Sequence, residues 1–298
     1  MDGAISSRAV PLPDETPADC VARISDLATV RRTEFDGGAM VWRSWGSGSP
    51  LVLLHGGYGA WSHWIRNVLP LSERYRVIAP DLPSHGDSDA LPGRPSRDVM
   101  TAAVARGLRE VVAADQDYDL VGFSLGANLS AAIAAAHGGA LRKLVTVGAG
   151  GLGVSSGKIE GLLKWRPDMP HEELNRRHRN NLGIIMIHDE ARIDPLAVHL
   201  QRENGLRMRF RILRAGITTT LREHLPSVTA PLGCIWGEHD AYARRGRNER
   251  VAVMRRSHPD LDLTVIPDSA HWVMYERPDA FNAALLRTLR DEFTSNGG

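Results

Sequence analysis

Short, mostly apolar runs alternate with longer amphipathic stretches along most of the chain. The apolar runs lie at 51–54, 76–79, 119–122, 144–147, 232–236 and 261–266. Stretches with the apolar spacing of helices separate them, near 60–73, 97–114, 125–137, 244–257 and 278–293. Strands and helices that alternate in this way are typical of a mostly parallel sheet with helices on both faces. We therefore predict an α/β fold.

Two parts of the chain depart from this alternation. Residues 1–27 contain three prolines and several acidic residues, which predicts a loose N-terminal arm. Asp36-Gly37-Gly38 predicts the turn of a hairpin soon after it. Residues 150–226 are helix-like and rich in arginine, without a convincing strand run. We predict that they form a helical cap over a core made of residues 28–149 and 227–298.

Composition and charge limit the function classes. Apolar residues make up 43% of the 298 residues, charged residues make up 24%, and the formal net charge is +1. A nucleic-acid-binding protein would usually concentrate basic residues on one face, and no apolar run approaches the roughly 20 residues that span a bilayer. The two cysteines do not indicate a disulfide framework. We expect a cytoplasmic protein that binds neither nucleic acid nor a membrane.

A serine between two glycines follows the third apolar run. The segment Gly122-Phe123-Ser124-Leu125-Gly126 has the pattern G-x-S-x-G, and helix-like sequence continues from Ala127. Between a strand and a helix, this pattern holds the serine on a strained turn with its hydroxyl exposed, and small neighbours allow the strand and the helix to approach closely. Ser124 is therefore the candidate nucleophile. The alternative is a tight turn whose serine caps the helix.

Two further polar residues follow the last two apolar runs. Asp240 ends the segment Trp236-Gly237-Glu238-His239-Asp240, and His271 lies in the segment that starts at Pro267. The chain order serine, acid, histidine is that of one known class of hydrolase triads. We predict His271 as the general base and Asp240 as the carboxylate that orients it, with Glu238 as the alternative acid. An Asx turn and a surface histidine are the non-catalytic alternatives.

A glycine-rich loop follows the first of the apolar runs. In His55-Gly56-Gly57-Tyr58-Gly59, small residues let a backbone amide approach a substrate oxygen. We predict that the amides of Gly57 and Leu125 form an oxyanion hole, and that Gly56, Tyr58 and Phe123 contact the substrate; a plain glycine turn is the alternative. No histidine pair has convincing metal-ligand spacing, and no dinucleotide or Walker-type glycine pattern occurs. We expect no metal and no cofactor.

Together these motifs resemble the α/β-hydrolase superfamily over about residues 28–293. The matching pieces are H-G-G at 55–57, D-L-P-S-H-G-D-S at 81–88, G-F-S-L-G at 122–126, W-G-E-H-D at 236–240 and A-H-W at 270–272. Within it, the chain is most similar to the meta-cleavage-product hydrolases, which split C–C bonds in vinylogous 1,5-diketone acids from aromatic-ring degradation. This resemblance implies that Trp272 lines the substrate site, that Arg202 in the cap binds a substrate carboxylate or enolate, and that the protein forms a homodimer.

The expected chemistry is acyl transfer to water on a small, carboxylate-bearing carbonyl substrate. The resemblance implies hydrolysis of a C–C bond. Three alternatives remain open: a carboxylesterase or lactonase acting on small acyl esters, a cofactor-free haloperoxidase or perhydrolase, and a receptor that keeps the fold but only binds its ligand. Residues 150–226 contain 13 Lys and Arg against 9 Asp and Glu, which mildly favours an anionic substrate.

Overall fold

A twisted β-sheet forms the centre of the protein. The computed structural model describes residues 11–93, 96–137, 141–209 and 218–290. In these ranges the strands are Thr29–Phe35 (β1), Gly38–Trp45 (β2), Pro50–Leu54 (β3), Arg76–Pro80 (β4), Tyr118–Phe123 (β5), Leu141–Val147 (β6), Leu232–Gly237 (β7) and Asp262–Ile266 (β8). Their order in the sheet is β1-β2-β4-β3-β5-β6-β7-β8. β1 pairs antiparallel with β2, and β2 with β4, whereas the remaining pairs are parallel. The predicted α/β fold is confirmed.

Helices cover both faces of this sheet. The helices are Pro17–Asp26 (α1), Val68–Ser72 (α2), Arg97–Val111 (α3), Leu125–His137 (α4), His171–Asn181 (α5), Pro195–Leu206 (α6), Thr220–His224 (α7), Arg247–Arg255 (α8), Val273–Glu276 (α9) and Pro278–Thr288 (α10). Short 3₁₀ turns lie at Trp61–Trp64, Glu190–Arg192 and Leu225–Ser227, and a π-helical turn at Leu182–Met186 follows α5. In the described ranges, no helix has the length and apolar character required to cross a bilayer.

The core consists of two apolar layers, one on each face of the sheet. Successive residues of a strand point to opposite faces. Leu51 and Leu53 of β3 accordingly pack in one buried cluster, and Val52 and Leu54 in the other. Because helices bury both faces, β3 can be apolar at every position. This burial explains why the strand appeared in the sequence as a continuous apolar run.

The N-terminal segment differs from the loose arm that the sequence predicted. Residues 17–26 form α1, where the hydroxyl of Thr16 accepts the N–H of Asp19 and Pro17 occupies the first turn. Cys20 and Ile24, four residues apart on one helical face, are fully buried. Their burial against the core provides the free energy that orders this helix. Residues 1–10 of the predicted arm lie outside the described residues.

The chain between β6 and β7, residues 148–231, is called the inserted segment below. Its described part contains α5, α6 and α7 and no strand. The predicted cap at 150–226 lies within it, although residues 210–217 of that prediction are not among those described. Near its middle, the inserted segment also contacts the chain just after β8, since the N–H of Trp272 donates to the carbonyl of Met186 at 2.8 Å.

A buried ionic cluster also fixes the inserted segment on the core. Arg66 forms an ion pair with Asp194, and its guanidinium carbon lies 3.9 Å from the centroid of the Tyr275 ring. The Tyr275 hydroxyl donates to the other carboxylate oxygen of Asp194 at 2.6 Å. Arg66 and Tyr275 belong to the core, whereas Asp194 caps α6. The cluster therefore positions α6 relative to the loops that follow the strands.

Candidate active site

Ser124 lies on the sharp turn between β5 and α4. Its φ is +50°, a conformation that is uncommon for a residue other than glycine. A Cβ atom at Gly122 would lie 2.5 Å from the carbonyl oxygen of Gly126, and one at Gly126 would lie 2.5 Å from that of Leu54. Both positions therefore require glycine. The N–H of Gly126 donates to the carbonyl of His55 at 3.1 Å, which joins this turn to the loop after β3.

His271 and Asp240 form a buried pair at the ends of the last two strands. The Nδ1 atom of His271 lies 2.8 Å from Oδ2 of Asp240, and the two side chains are 3% and 0% exposed. The second carboxylate oxygen accepts the N–H of Tyr242 at 2.8 Å. Glu238, the alternative acid, is exposed and accepts the N–H of Asp268 instead. The structure thus brings Asp240, and not Glu238, to the imidazole.

Ser124 and His271 line the same cavity, which has a volume of about 860 Å³. Its wall is formed partly by the core and partly by the inserted segment. The core contributes Gly57, Tyr58, Phe123, Ser124, Tyr242 and His271. The candidate nucleophile and the candidate base thus face a space that can hold a small molecule.

The glycine-rich loop after β3 borders this cavity. Gly57 lines it, and Gly56 packs so closely on the turn that a Cβ atom there would lie 2.9 Å from the Phe123 ring. Leu125 is the first residue of α4, where free N–H groups and the helix dipole favour negative charge. The loop and the start of this helix therefore approach one end of the cavity together. The roles of Gly57 and Leu125 as oxyanion donors stay predictions.

Three buried histidines support the same loop. His55 donates through Nδ1 to the carbonyl of Gly56 and accepts the N–H of Leu82 at Nε2. His63 lies beside it and accepts the N–H of Gly56 at 3.3 Å, and His85 packs against the His55 ring with centroids 5.2 Å apart. Burial lowers the pKa of His55 to about 4 and that of His85 to about 3, and it lowers the pKa of His63 well below its ordinary value. Sequence reasoning missed His63, since nothing in its segment marks a buried ring.

Because these three histidines are buried, we predict that the protein loses stability in mild acid. In the unfolded chain each would have a pKa near 6.5, so below that pH the unfolded state binds more protons than the folded state. The stabilising contribution is therefore complete above about pH 6.5 and is lost as the pH falls toward 4. We expect the free energy of unfolding to fall by about 1.4 kcal/mol per pH unit for each histidine. Urea unfolding between pH 6 and pH 5 measures this slope, and it should be much smaller above pH 7.

The His85→Gln variant provides the control for this prediction. It removes one of the three titrating groups, so we expect a slope that is smaller by about 1.4 kcal/mol per pH unit than in the parent protein. An unchanged slope would show that His85 does not remain neutral in the folded state.

Trp272 does not line the cavity, contrary to the role that the resemblance implied. Its side chain is 0% exposed, its indole N–H donates to the carbonyl of His63 at 2.9 Å, and its ring stacks on Tyr275 with centroids 4.2 Å apart. The Trp272 side chain thus packs against the 3₁₀ turn at Trp61–Trp64 and against α9. Tyr58 and Phe123, by contrast, line the cavity, and their contact with a substrate stays a prediction.

Arg202 does not line the cavity either, although the resemblance implied that it binds a substrate carboxylate or enolate. Its guanidinium donates to Asn175 at 2.6 Å and to Glu203 at 2.9 Å, and it lines a separate surface pocket. The helical phase of α6 explains the difference, because adjacent residues point about 100° apart. It is Gln201 that faces the cavity. The basic residues that line the cavity are Lys164, Arg166 and Arg177, which sequence reasoning did not single out.

Glu276 is a buried carboxylate that joins the loop of the candidate base to the inserted segment. Its Oε2 accepts the N–H of Ala270 at 2.7 Å, and its Oε1 accepts those of His188 and Asp189 at 2.9 and 2.8 Å. Ala270 directly precedes His271. Sequence reasoning missed Glu276, which lies five residues after the base and resembles any helical acid.

One group of side chains in the described ranges could ligate a metal ion. Ligand atoms of Glu238, His239 and Asp268 lie within 4.8 Å of one another. Both carboxylates are exposed, and none of the three residues lines the cavity. An ion there would not contact a molecule bound beside Ser124. That the reaction needs no metal stays a prediction.

Comparison with known proteins also indicates a hydrolase. Residues 51–284 match the alpha/beta hydrolase family. The chain is 27% identical over 269 residues to the 2-hydroxy-6-oxo-6-phenylhexa-2,4-dienoate hydrolase of Burkholderia cepacia, covering 85% of this chain and 90% of that protein. The predicted similarity to meta-cleavage-product hydrolases is thus confirmed.

Solved structures show the same fold. A meta-cleavage product hydrolase of Pseudomonas fluorescens, CumD, is 21% identical with a TM-score of 0.70, covering 87% of this chain and 96% of that chain. An esterase of a Rhodococcus species is 24% identical with a TM-score of 0.69, covering 88% of this chain and 98% of that chain. Since the family match extends over most of its length, the chain belongs to the alpha/beta hydrolase family.

Proposed function

We propose that the protein is a serine hydrolase in which Ser124 is the nucleophile, His271 the general base and Asp240 the group that orients the base. The observation that carries this proposal is the buried contact of 2.8 Å between His271 Nδ1 and Asp240 Oδ2, beside a cavity that both Ser124 and His271 line. The strained φ of Ser124 supports it, because such strain is common at catalytic turns.

The mechanism follows from the protonation that this pair imposes. Asp240 accepts a hydrogen bond from Nδ1–H, so the Nε2 atom of His271 is left unprotonated and can take the proton of the Ser124 hydroxyl. Ser124 attacks the substrate carbonyl, and the carboxylate of Asp240 stabilises the imidazolium that forms. His271 then returns the proton to the leaving group. Water, deprotonated by the same imidazole, releases the acyl group as an acid.

The negative oxygen of the tetrahedral intermediate needs donors that are in place beforehand. The amides of Gly57 and Leu125 are our candidates, because the first lines the cavity and the second begins α4 just after the nucleophile. Each such donor contributes about 2.7–4 kcal/mol in enzymes where it has been removed. His55 and His63 hold Gly56 by hydrogen bonds and thereby position its neighbour Gly57.

The residues that line the cavity favour a substrate with an apolar body and an anionic group. Its wall in the inserted segment is mostly apolar, formed by residues such as Leu162, Trp165, Met169, Leu182, Ile185 and Met186. Lys164, Arg166 and Arg177 add positive charge to the same wall. The relative from Burkholderia cepacia is named for a phenyl-substituted hydroxy-oxo-dienoate, which has both features. We propose C–C bond hydrolysis of a meta-cleavage-type product. The dienol first becomes a ketone by taking a proton at the carbon that will depart, and when the C–C bond breaks, its electron pair passes into that ketone to form a dienolate.

A carboxylesterase or lactonase is the second candidate. The likeness of the fold to the Rhodococcus esterase favours it, and the same three residues would act on an ester without any ketonisation step. Parallel measurements of kcat/KM with 2-hydroxy-6-oxo-6-phenylhexa-2,4-dienoate and with p-nitrophenyl butyrate separate the two. We expect the higher value for the dienoate, and a higher value for the ester would favour the esterase.

The other two alternatives would give different results in the same assays. Activity only with peroxide would indicate a perhydrolase. Saturable binding without turnover would indicate a receptor.

Replacing Glu276 by glutamine tests how the base is positioned. The glutamine NH₂ group would face a backbone N–H where a carboxylate oxygen now accepts one. We expect the free energy of unfolding to fall by about 1–3 kcal/mol and kcat/KM for p-nitrophenyl butyrate to fall roughly tenfold as His271 shifts. Urea unfolding and steady-state kinetics measure the two effects.

Glu249→Gln is the matched control for Glu276→Gln, since Glu249 is exposed on α8. We expect it to leave both quantities unchanged. Equal effects of the two substitutions would refute a positioning role for Glu276.

A further inference from the structure

Two polar side chains of the inserted segment line the cavity, and each has a buried polar atom without a hydrogen-bond partner in the part of the chain that the structure describes. His178 of α5 is 1% exposed, and both His178 and Gln201 of α6 line the cavity. The Nε2 atom of His178 and the Oε1 atom of Gln201 are buried, and neither has a hydrogen-bond partner among the described residues. Buried polar groups in proteins are nearly always paired. Unpaired atoms in a cavity wall therefore point to a ligand.

The two side chains lie on the facing sides of neighbouring helices. A Cβ atom at Gly205 would lie 3.7 Å from Cε1 of His178, so the ring packs against α6 at that position. Gln201 precedes Gly205 by four residues and shares its helical face. Trp165 packs against the His178 ring with centroids 4.8 Å apart. The imidazole is thereby held between Trp165 and α6, with Gln201 on the same side of that helix.

The pair is electrically neutral at physiological pH. Burial, together with the charge of Arg202, lowers the pKa of His178 to about 4. A neutral imidazole nitrogen can donate or accept one hydrogen bond, and the Gln201 oxygen accepts. A hydroxyl group satisfies both at once, because it can donate and accept. A carboxylate cannot donate, and an ether can only accept.

We propose that His178 and Gln201 form a subsite for a neutral hydroxyl group on the part of the substrate that lies against the inserted segment. The inference deepens the proposed function by naming a substrate feature that the same cavity selects. A ligand hydroxyl would pair two atoms that are otherwise left unsatisfied, and an analogue without the hydroxyl would leave them so. The subsite thus favours hydroxylated ligands over their unsubstituted counterparts.

Calorimetric titration of the wild-type protein with amides tests this without turnover of an ester. The probes are 3-phenylpropanamide, its 3-hydroxyphenyl and 4-hydroxyphenyl counterparts, and the corresponding methoxyphenyl compounds. We expect one hydroxylated isomer to bind roughly tenfold more tightly than the parent amide, and its methoxy counterpart to lose this preference. Equal Kd values for all probes, or no binding of any, would overturn the subsite.

Substitutions test whether the preference for hydroxylated ligands depends on His178 and Gln201. His178→Phe keeps a ring for Trp165 to contact, and Gln201→Leu keeps the volume of the side chain. We expect the hydroxyl preference to vanish in each variant, so that failure of one to fold leaves the other as a test. His199→Phe is the control, because His199 lies on α6 but lines the separate pocket with Arg202, and it should keep the preference. A preference that persists in both cavity variants would contradict the assignment.

These results are independent of the hydrolase assignment. If the amides bind as expected but neither esters nor dienoates are hydrolysed, the proposed function fails and the subsite stands. If hydrolysis proceeds through Ser124 without any hydroxyl preference, the subsite fails and the proposed function stands.

Discussion

Replacing Ser124 by alanine is expected to lower kcat by roughly 10⁴–10⁶-fold while the protein stays folded. In the proposed mechanism the loss is this large because the base and its orienting acid have no nucleophile to activate once the hydroxyl is gone. The substitution removes one oxygen atom and keeps an L-residue at the strained φ, so the turn between β5 and α4 should be preserved. Steady-state hydrolysis of p-nitrophenyl butyrate and of the dienoate, with circular dichroism to monitor folding, measures the effect.

Ser130→Ala is the matched control for this experiment. Ser130 lies on α4, is fully buried, and donates its hydroxyl hydrogen to the carbonyl of Ala127 at 2.9 Å. It should keep the wild-type kcat. Near-normal turnover of both substrates by Ser124→Ala would contradict its assignment as nucleophile.

The second large effect is expected for Asp240→Asn. An asparagine NH₂ group facing Nδ1 would favour the tautomer that carries its proton on Nε2, and this tautomer cannot accept the proton of Ser124. Serine proteases with the equivalent change lose about 10⁴-fold in kcat, and we expect a loss of the same order here. The geometry of the pair should persist, so thermal unfolding should change much less than activity does.

The alternative acid provides the comparison. Glu238→Gln alters an exposed side chain two residues away, and we expect it to retain nearly full activity. If Glu238→Gln removed activity and Asp240→Asn did not, the roles of the two acids would have to be exchanged.

Much of the fold could be predicted from the sequence because its strands are buried on both faces. Such strands are continuous apolar runs, so the predicted runs at 51–54 and 232–236 fall within β3 and β7. The predicted turn at Asp36-Gly37-Gly38 also lies between paired strands, with Phe35 opposite Gly38 and Gly37 at a φ of +85°. The residue types within these short segments determine their structure, without contacts to distant parts of the chain.

The predictions from sequence were wrong where tertiary packing determines the conformation or the orientation of a side chain. α1 has only two fully buried residues, Cys20 and Ile24, and Pro17 and the acids of this helix hid the helical spacing. Arg202 and Gln201 are neighbours in sequence, and only the orientation of α6 determines which of them faces the cavity. Trp272 could not be distinguished from a lining residue without knowing that Tyr275 and His63 enclose it.

The candidate site shows the same division. Ser124, Asp240 and His271 could be proposed because each follows a strand, and the carboxyl ends of parallel strands meet at one edge of a sheet. The residues that position them gave no such signal. Glu276 accepts backbone N–H groups of Ala270 and of the inserted segment, and these contacts exist only in the folded chain.

Trapping the acyl-enzyme tests the central claim most directly. The protein would be mixed with p-nitrophenyl butyrate, quenched in acid within milliseconds, digested and analysed by mass spectrometry. Our account predicts a butyryl group on the peptide that contains Ser124, and no such group in the Ser124→Ala variant. A butyryl group on another residue, or turnover in which no acylated peptide forms at all, would contradict it.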